Sequence, residues 1–356
     1  MQGWAVVGMA VLSMRGDSPR AFAALGDLSG SRSTASGSMP ADIAGRAPGE
    51  SPGQAGVRAA EGDARRTQVQ MRNVDFRIGH GVVLHIRHLR GSMRSHAGGP
   101  LVFDDPTSFT IRLASAEVGM AGPDLTRLLA GYVFAYPGSP LKDLELRIAN
   151  GQLVQTGKLR KGAWLPFTIR ATVGVTPDGR IRIHPVHTKV LGLNGGVIMK
   201  AFGLHLSSLL DVRGSRGAVV DRDDILIDPA RALPPPAIQG RLVGIRIEGD
   251  RMIQTFGLGR DSLPALTVPD RRARNYMFYR GGSLQFGKLV MLDADMQIVD
   301  LDPGDPFAFD LSRYLDQLVP GYSKTLPDLG LEVFMKDIDD VPPRRSALCD
   351  TCTRPP

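Results

Sequence analysis

The sequence predicts an α+β protein made mostly of antiparallel hairpins, with a few amphipathic helices set among them. Three observations predict it. Short runs with period-two alternation recur from Thr67 to Gly257 and again after Tyr276. Turn signals sit between them, notably Asn150-Gly151 and Thr176-Pro177-Asp178-Gly179. Only a few windows carry the helical period, the clearest being Leu125, Leu128, Leu129, Tyr132, Val133 and Tyr136 at i, i+3, i+4, i+7, i+8 and i+11.

In chain order, VQMRNVDFRIG and VVLHIRHL read as strands joined across Gly79-His80-Gly81, and SFTIRLASAEV reads as a third. The Leu125–Tyr136 stripe is one continuous helix. LKDLELRIA and QLVQTGKL form a hairpin, as do FTIRATVGV and RIRIHPV. A second helix carries Val197, Ile198, Ala201 and Phe202, with Gly203 as its cap. DDILIDP is a strand ended by proline, Pro234 to Pro236 is a stiff connector, and RLVGIRIEGDRMIQTFG is a hairpin turning at Gly249-Asp250. Beyond a linker, SLQFGKLVML, MQIVD and LGLEVFM are strands. Asp310 caps a helix that turns Leu311, Tyr314, Leu315, Leu318 and Val319 inward.

Composition bounds the rest. The 356 residues are 42% apolar, enough for a core, and a formal charge of +7 favours anionic partners. Residues 1–66 are rich in Gly, Ser, Ala and Pro and read as a disordered leader or tether. The remaining divisions are a domain at 67–257, a linker at 258–275, a β-rich extension at 276–338 and a disordered tail at 339–356. Trp4 to Met14 is apolar like a signal-peptide core but lacks a basic start and a good cleavage site. Periplasmic and cytoplasmic placement both stay open.

Sites of chemistry are scattered. Cys349 and Cys352 make one CxxC where zinc needs four ligands. His80, His85, His88, His184 and His187 offer no local chelate, because three-residue spacing on a strand points side chains to opposite faces. Asp293, Asp295, Asp300, Asp302 and Asp305 lack the calcium-loop glycine and glutamate, and alternating aspartates read as a solvent face. No nucleophile elbow or phosphate loop is present, so no metal, cofactor or catalytic set is expected. Lys158, Arg160, Lys161 and Trp164 form a basic loop ending in an aromatic, either a membrane contact or a solvated tip with Trp164 in the core. Arg271, Arg272 and Arg274 could equally touch nucleic acid, but no nucleic-acid motif accompanies them.

The run from Leu144 to Gly257 carries LRIANGQLVQTGKL, TPDGRIRIHP, GGVIMKAFGLHLSSLL and DDILIDPARALPPPAIQGRLVGIRIEGDRMIQTFG. These segments resemble a bacterial family of uncharacterised proteins related to a mycobacterial lipid-binding protein of lipomannan elongation. That family is similar to the tubular lipid-binding (TULIP) superfamily. The resemblance implies a long curved antiparallel sheet wrapped around helices and enclosing a channel for acyl chains. It implies an envelope setting and makes Leu125, Leu128, Leu129, Tyr132, Val133, Tyr136, Val197, Ile198, Ala201 and Phe202 the candidate groove lining. Non-catalytic binding or transfer of a lipid or other amphiphile is the leading expectation. An envelope scaffold with a packed core is the alternative, and an enzyme comes third.

Overall fold

A computed structural model describes residues 66–191, 193–194, 212–257 and 263–342. The helix expected to carry Val197, Ile198, Ala201 and Phe202 lies outside these residues, as do the leader to residue 65 and the CxxC.

The first hairpin joins β1 (Thr67–Ile78) to β2 (Val82–Ser95), with His80 and Gly81 both at positive φ in the turn. After β3 (Leu101–Val102) and β4 (Phe109–Ala121) comes α1 (Gly122–Leu128). Strands β5 (Leu141–Ala149), β6 (Gln152–Lys161), β7 (Ala163–Val175), β8 (Ile181–Val190) and β9 (Leu193–Asn194) follow. Then come β10 (Ala218–Asp221), β11 (Asp224–Ile227), the single turn α2 (Pro229–Ala232), β12 (Ala237–Gln239), β13 (Leu242–Glu248) and β14 (Arg251–Gly257). The chain continues with β15 (Tyr276–Arg280), β16 (Ser283–Phe286), β17 (Leu289–Leu292), β18 (Asp295–Asp300) and β19 (Phe307–Asp310). It ends in α3 (Tyr314–Leu318), β20 (Tyr322–Thr325) and β21 (Leu331–Met335).

These strands make a large sheet in the order β13-β14-β4-β2-β1-β15-β18-β21-β20, with β12 on β4 and β19 on β1. A second sheet runs β10-β11-β8-β7-β6-β5, with β9 on β8, and a small one runs β17-β16-β3. Pairing is mostly antiparallel. The exceptions are β1 with β19, β4 with β12, β18 with β21 and β3 with β16. The predicted hairpins appear with their turns, including Gly151 at φ +70° and Gly249 at φ +61°.

Strands of 276–338 are hydrogen-bonded directly into the large sheet, with Val69 opposite Tyr279 and Met71 opposite Met277. The connection before them is pinned by two buried glutamines. Leu266 N donates to Gln70 Oε1 at 2.9 Å, and Asp270 N donates to Gln297 Oε1 at 2.7 Å. Gln297 Nε2 returns a bond to Asp270 O at 3.1 Å. A strap with no ladder of its own thereby satisfies its backbone through amide side chains. On the opposite face of the sheet an aromatic cluster packs Phe103 against Phe109, Tyr279 and Phe286 with ring centres 5.2–5.8 Å apart.

Two helix expectations need correction. The stripe at Leu125–Tyr136 is not one α-helix: α1 ends at Leu128 and widens into a π-helical turn, Leu129–Val133, closed by Phe134 N donating to Leu129 O at 2.9 Å. Pro137 disfavours α geometry at Tyr136, so the last stripe position falls outside the helix. The second correction concerns α3. Leu311 and Tyr314 are buried, but Leu315 and Val319 are 39% and 71% exposed. The helix has five residues and Pro320 follows Val319, which leaves the stripe too short to turn those two inward. Asp310 caps nothing there; its carboxylate accepts from Ser312 N at 2.9 Å, just before the helix.

Candidate functional site

The two large sheets meet along an apolar seam, and α1 is wedged into it. Pro123 occupies the first turn of α1, where a missing N–H costs nothing, and Asp124 faces the positive end of the helix dipole. Gly122 lets the helix start close against β5, since a Cβ there would lie 2.8 Å from Leu146 O. Leu125, Leu128 and Leu129 are thereby buried between the sheets. They line a cavity of about 30 Å³ together with Leu146, Leu153, Ile181 and Met252. A second cavity, also about 30 Å³, is lined by Met71, Phe76, Leu84, Ile111, Val118 and others of the large sheet. The two share Met120, Leu233 and Gln254. Among the described residues Gln254 is the single polar side chain on either lining, and it is 5% exposed.

The rest of the stripe behaves differently. Val133 is fully buried but lines neither cavity. Tyr132 packs against His80 with tilted rings 5.4 Å apart and lies under Arg216, whose guanidinium is 4.6 Å above its ring. Arg216 Nη1 also donates to Tyr132 O at 2.7 Å. Tyr136 covers Gly214, where a Cβ would sit 2.5 Å from its ring. The stripe therefore splits into a seam-lining half and a half that seals the end of the helix. Phe134, outside the periodic set, is buried because the π-helical turn rotates it inward.

The basic segment is a strand platform rather than a loop. Gly162, at φ +72°, makes a tight turn that sets Arg160 opposite Trp164 and Lys161 opposite Ala163. Lys142 faces Lys158 from β5 and lies 4.4 Å over the Trp164 ring. Pairs directly opposite share a face, so Lys142, Lys158, Arg160 and Trp164 lie together while Lys161 points to the other side. Trp164 is 37% exposed, not in the core. Lys158 is held by Asp143 at 3.0 Å, which removes part of the patch's charge. The contribution of Lys142 was invisible in the local run, since it comes from the neighbouring strand.

A second polar centre joins residues of β1, β2 and α1. His85 Nδ1 lies 2.7 Å from Asp75 Oδ1, and its Nε2 lies 3.7 Å from Asp124 Oδ2. Asp124 also accepts from Val83 N at 3.1 Å and pairs with Arg127 at 2.8 Å. Burial lowers the His85 pKa, but the bonds to Asp124 and Asp75 outweigh it and push the imidazolium up to about 9. Asp124 is held low by His85, Val83 N–H and Arg127, against the opposing effect of burial. At neutral pH this is a half-buried ion cluster that clamps α1 to β1 and β2. In this protonated form both ring nitrogens are donors, one to Asp75 and the other toward Asp124, so the imidazole ties the three elements together. The Asp75–His85 half is recoverable from the register of the Gly79–Gly81 turn, but Asp124 is not.

The aspartates after Ala294 also depart from a plain solvent face. Asp300 is 6% exposed and accepts from Asn275 Nδ2 at 2.8 Å. Among the described residues, no group of three or more His, Cys, Asp or Glu is placed to hold a metal ion. No helix among them is long and apolar enough to cross a membrane. No family model, curated protein or solved structure matches the chain.

Proposed function

We propose that the protein binds a lipid or other amphiphile by admitting an aliphatic chain along the seam between its two large sheets. The observation that carries this reading is the pair of adjoining apolar cavities that share Met120, Leu233 and Gln254. Two sheets joined by non-directional apolar contact can part more cheaply than sheets joined by hydrogen bonds, because no backbone bond breaks. Each methylene admitted gains about 0.8 kcal/mol of burial. Leu125, Leu128 and Leu129 line the entry half of the seam in this reading. The platform of Lys142, Lys158, Arg160 and Trp164 supplies an interfacial contact to an anionic membrane, with the aromatic ring at headgroup level. The reading places the protein in the cell envelope.

A scaffold role with a packed core is favoured by one specific observation. Each cavity is about 30 Å³, the room of one water molecule. Ligand pockets are typically about 300–1,000 Å³. Lipid loading therefore requires the seam to widen, and that separates the two readings. Purified protein from several hosts is to be extracted with organic solvent and examined by native mass spectrometry. Co-purifying lipid that disappears in Leu128→Trp, which fills the seam, supports amphiphile binding. Lipid-free protein from every host, with no uptake from vesicles, leaves the scaffold.

A further inference from the structure

The large sheet carries a second recess, which shares no lining residue with the seam and does not depend on it. It is an open groove of about 750 Å³ at the Thr67 end of β1. Ser92, Gln68 and Arg280 form its floor, side by side in one row across β2, β1 and β15. Residues directly opposite in antiparallel strands share a face, so this row presents one continuous polar surface. Arg66 stands at its edge, exposed and with no ion pair among the described residues.

Arg280 is loosely steadied by Asp295, with Nε 3.9 Å from Oδ2, and its side chain is 55% exposed. A guanidinium held on the Nε side keeps its two terminal amino groups for a further acceptor, the fork geometry that matches a carboxylate or phosphate. Asp293 on the lining and Asp295 opposite Arg280 balance the two arginines, so an acceptor here is selected by the guanidinium fork rather than by net charge.

The opposite wall is apolar. Leu263 and Leu266 come from the strap that Gln70 pins to the sheet, and Leu292 comes from β17. Leu292 is 79% exposed, an unusual position for a large aliphatic side chain beside two arginines. The wall between floor and rim is fixed by Gly281 and Gly282, at φ +75° and +62°. A Cβ on Gly282 would lie 2.6 Å from Thr67 Oγ1, so the turn can sit this close to β1 only as glycine.

From this juxtaposition we infer a binding site for an anionic amphiphile: one phosphate or carboxylate between Arg66 and Arg280, with an aliphatic chain against Leu263, Leu266 and Leu292. The recess lies within the usual ligand-pocket range and exceeds each seam cavity more than tenfold.

The test is calorimetric titration of the full chain with dodecyl phosphate below its micelle concentration, with inorganic phosphate and dodecanol as separate arms. Dodecyl phosphate is expected to bind one to one, at least tenfold more tightly than either fragment. Arg66→Gln combined with Arg280→Gln is expected to weaken it at least tenfold. Ser92→Glu, which puts a like charge into the groove while sparing both arginines, is expected to do the same. Leu292→Ser should weaken dodecyl phosphate severalfold and leave inorganic phosphate unchanged. The inference is overturned by absent or non-saturating binding, or by equal affinity for dodecanol or for inorganic phosphate. It also falls if affinity is unchanged in both the double-arginine variant and Ser92→Glu. If Leu128→Trp abolishes binding and the groove variants do not, the ligand lies in the seam. In that case the groove assignment falls and the proposed function stands.

Discussion

Replacing His85 by glutamine removes the cation between Asp75 and Asp124 while keeping a polar side chain of similar length. Its effect should depend on pH in a defined direction. The His85 pKa rises from 6.5 unfolded to about 9 folded. A group raised on folding contributes stability that is complete below its unfolded pKa and is lost as pH rises through its folded pKa. At about 1.4 kcal/mol per unit the shift corresponds to at most about 3.5 kcal/mol, which partial solvent access reduces to about 2. Urea unfolding of wild type and His85→Gln at pH 6, 8 and 10 measures it. The wild type should exceed the variant by about 2 kcal/mol more at pH 6 than at pH 10, with the decline running between the unfolded value of 6.5 and the folded value of about 9. Subtracting the variant cancels the lysines and tyrosines that titrate in the same range. A difference that stays constant from pH 6 to 10 would refute a protonated His85 and with it the clamp on α1.

Three further outcomes follow from other parts of the fold. Leu128→Ala, which empties part of the seam, should cost about 2–5 kcal/mol in denaturant unfolding and raise uptake of a small apolar probe; a cost under about 1 kcal/mol would mean the seam is already loose. Gln297→Leu leaves the Asp270 N–H unpartnered and its C=O with only the Ala273 N–H at 3.4 Å, at about 1–3 kcal/mol. Hydrogen exchange at Asp270 should accelerate well beyond that at Phe309, and equal protection would rule out the glutamine clasp. Burial, then repulsion from Asp300, Asp305 and Asp340, raises Asp337 from 3.8 to about 7, so the folded state prefers it protonated and stability falls as pH rises from about 4 to 7. Asp337→Asn can still accept the Ala308 N–H and should raise the melting temperature at pH 8 but not at pH 4.

The strand order along the chain was legible because alternation and turn chemistry are local. Asn150-Gly151 and Gly249-Asp250 fix their hairpins through positive φ at the turn, whatever the rest of the chain does. The Leu125–Leu129 part of the stripe was legible for the same reason, since a 3.6 period needs only neighbouring residues. The end of the helix was misplaced because side-chain period alone ignored Pro137. The inward set assigned to α3 failed because burial depends on what packs against a helix, not on its own pattern.

What the sequence by itself determined is an antiparallel-rich framework, its turns, and one apolar helical face. Only the tertiary structure decided which residues meet across long sequence distances. It brought β15 and β19 beside β1, Gln70 to Leu266, Lys142 to Trp164, and Asp124 to His85. The physical reason is range: φ preference and period act over a few residues, whereas pairing and ion clusters depend on which strands close against each other. No local pattern records that choice.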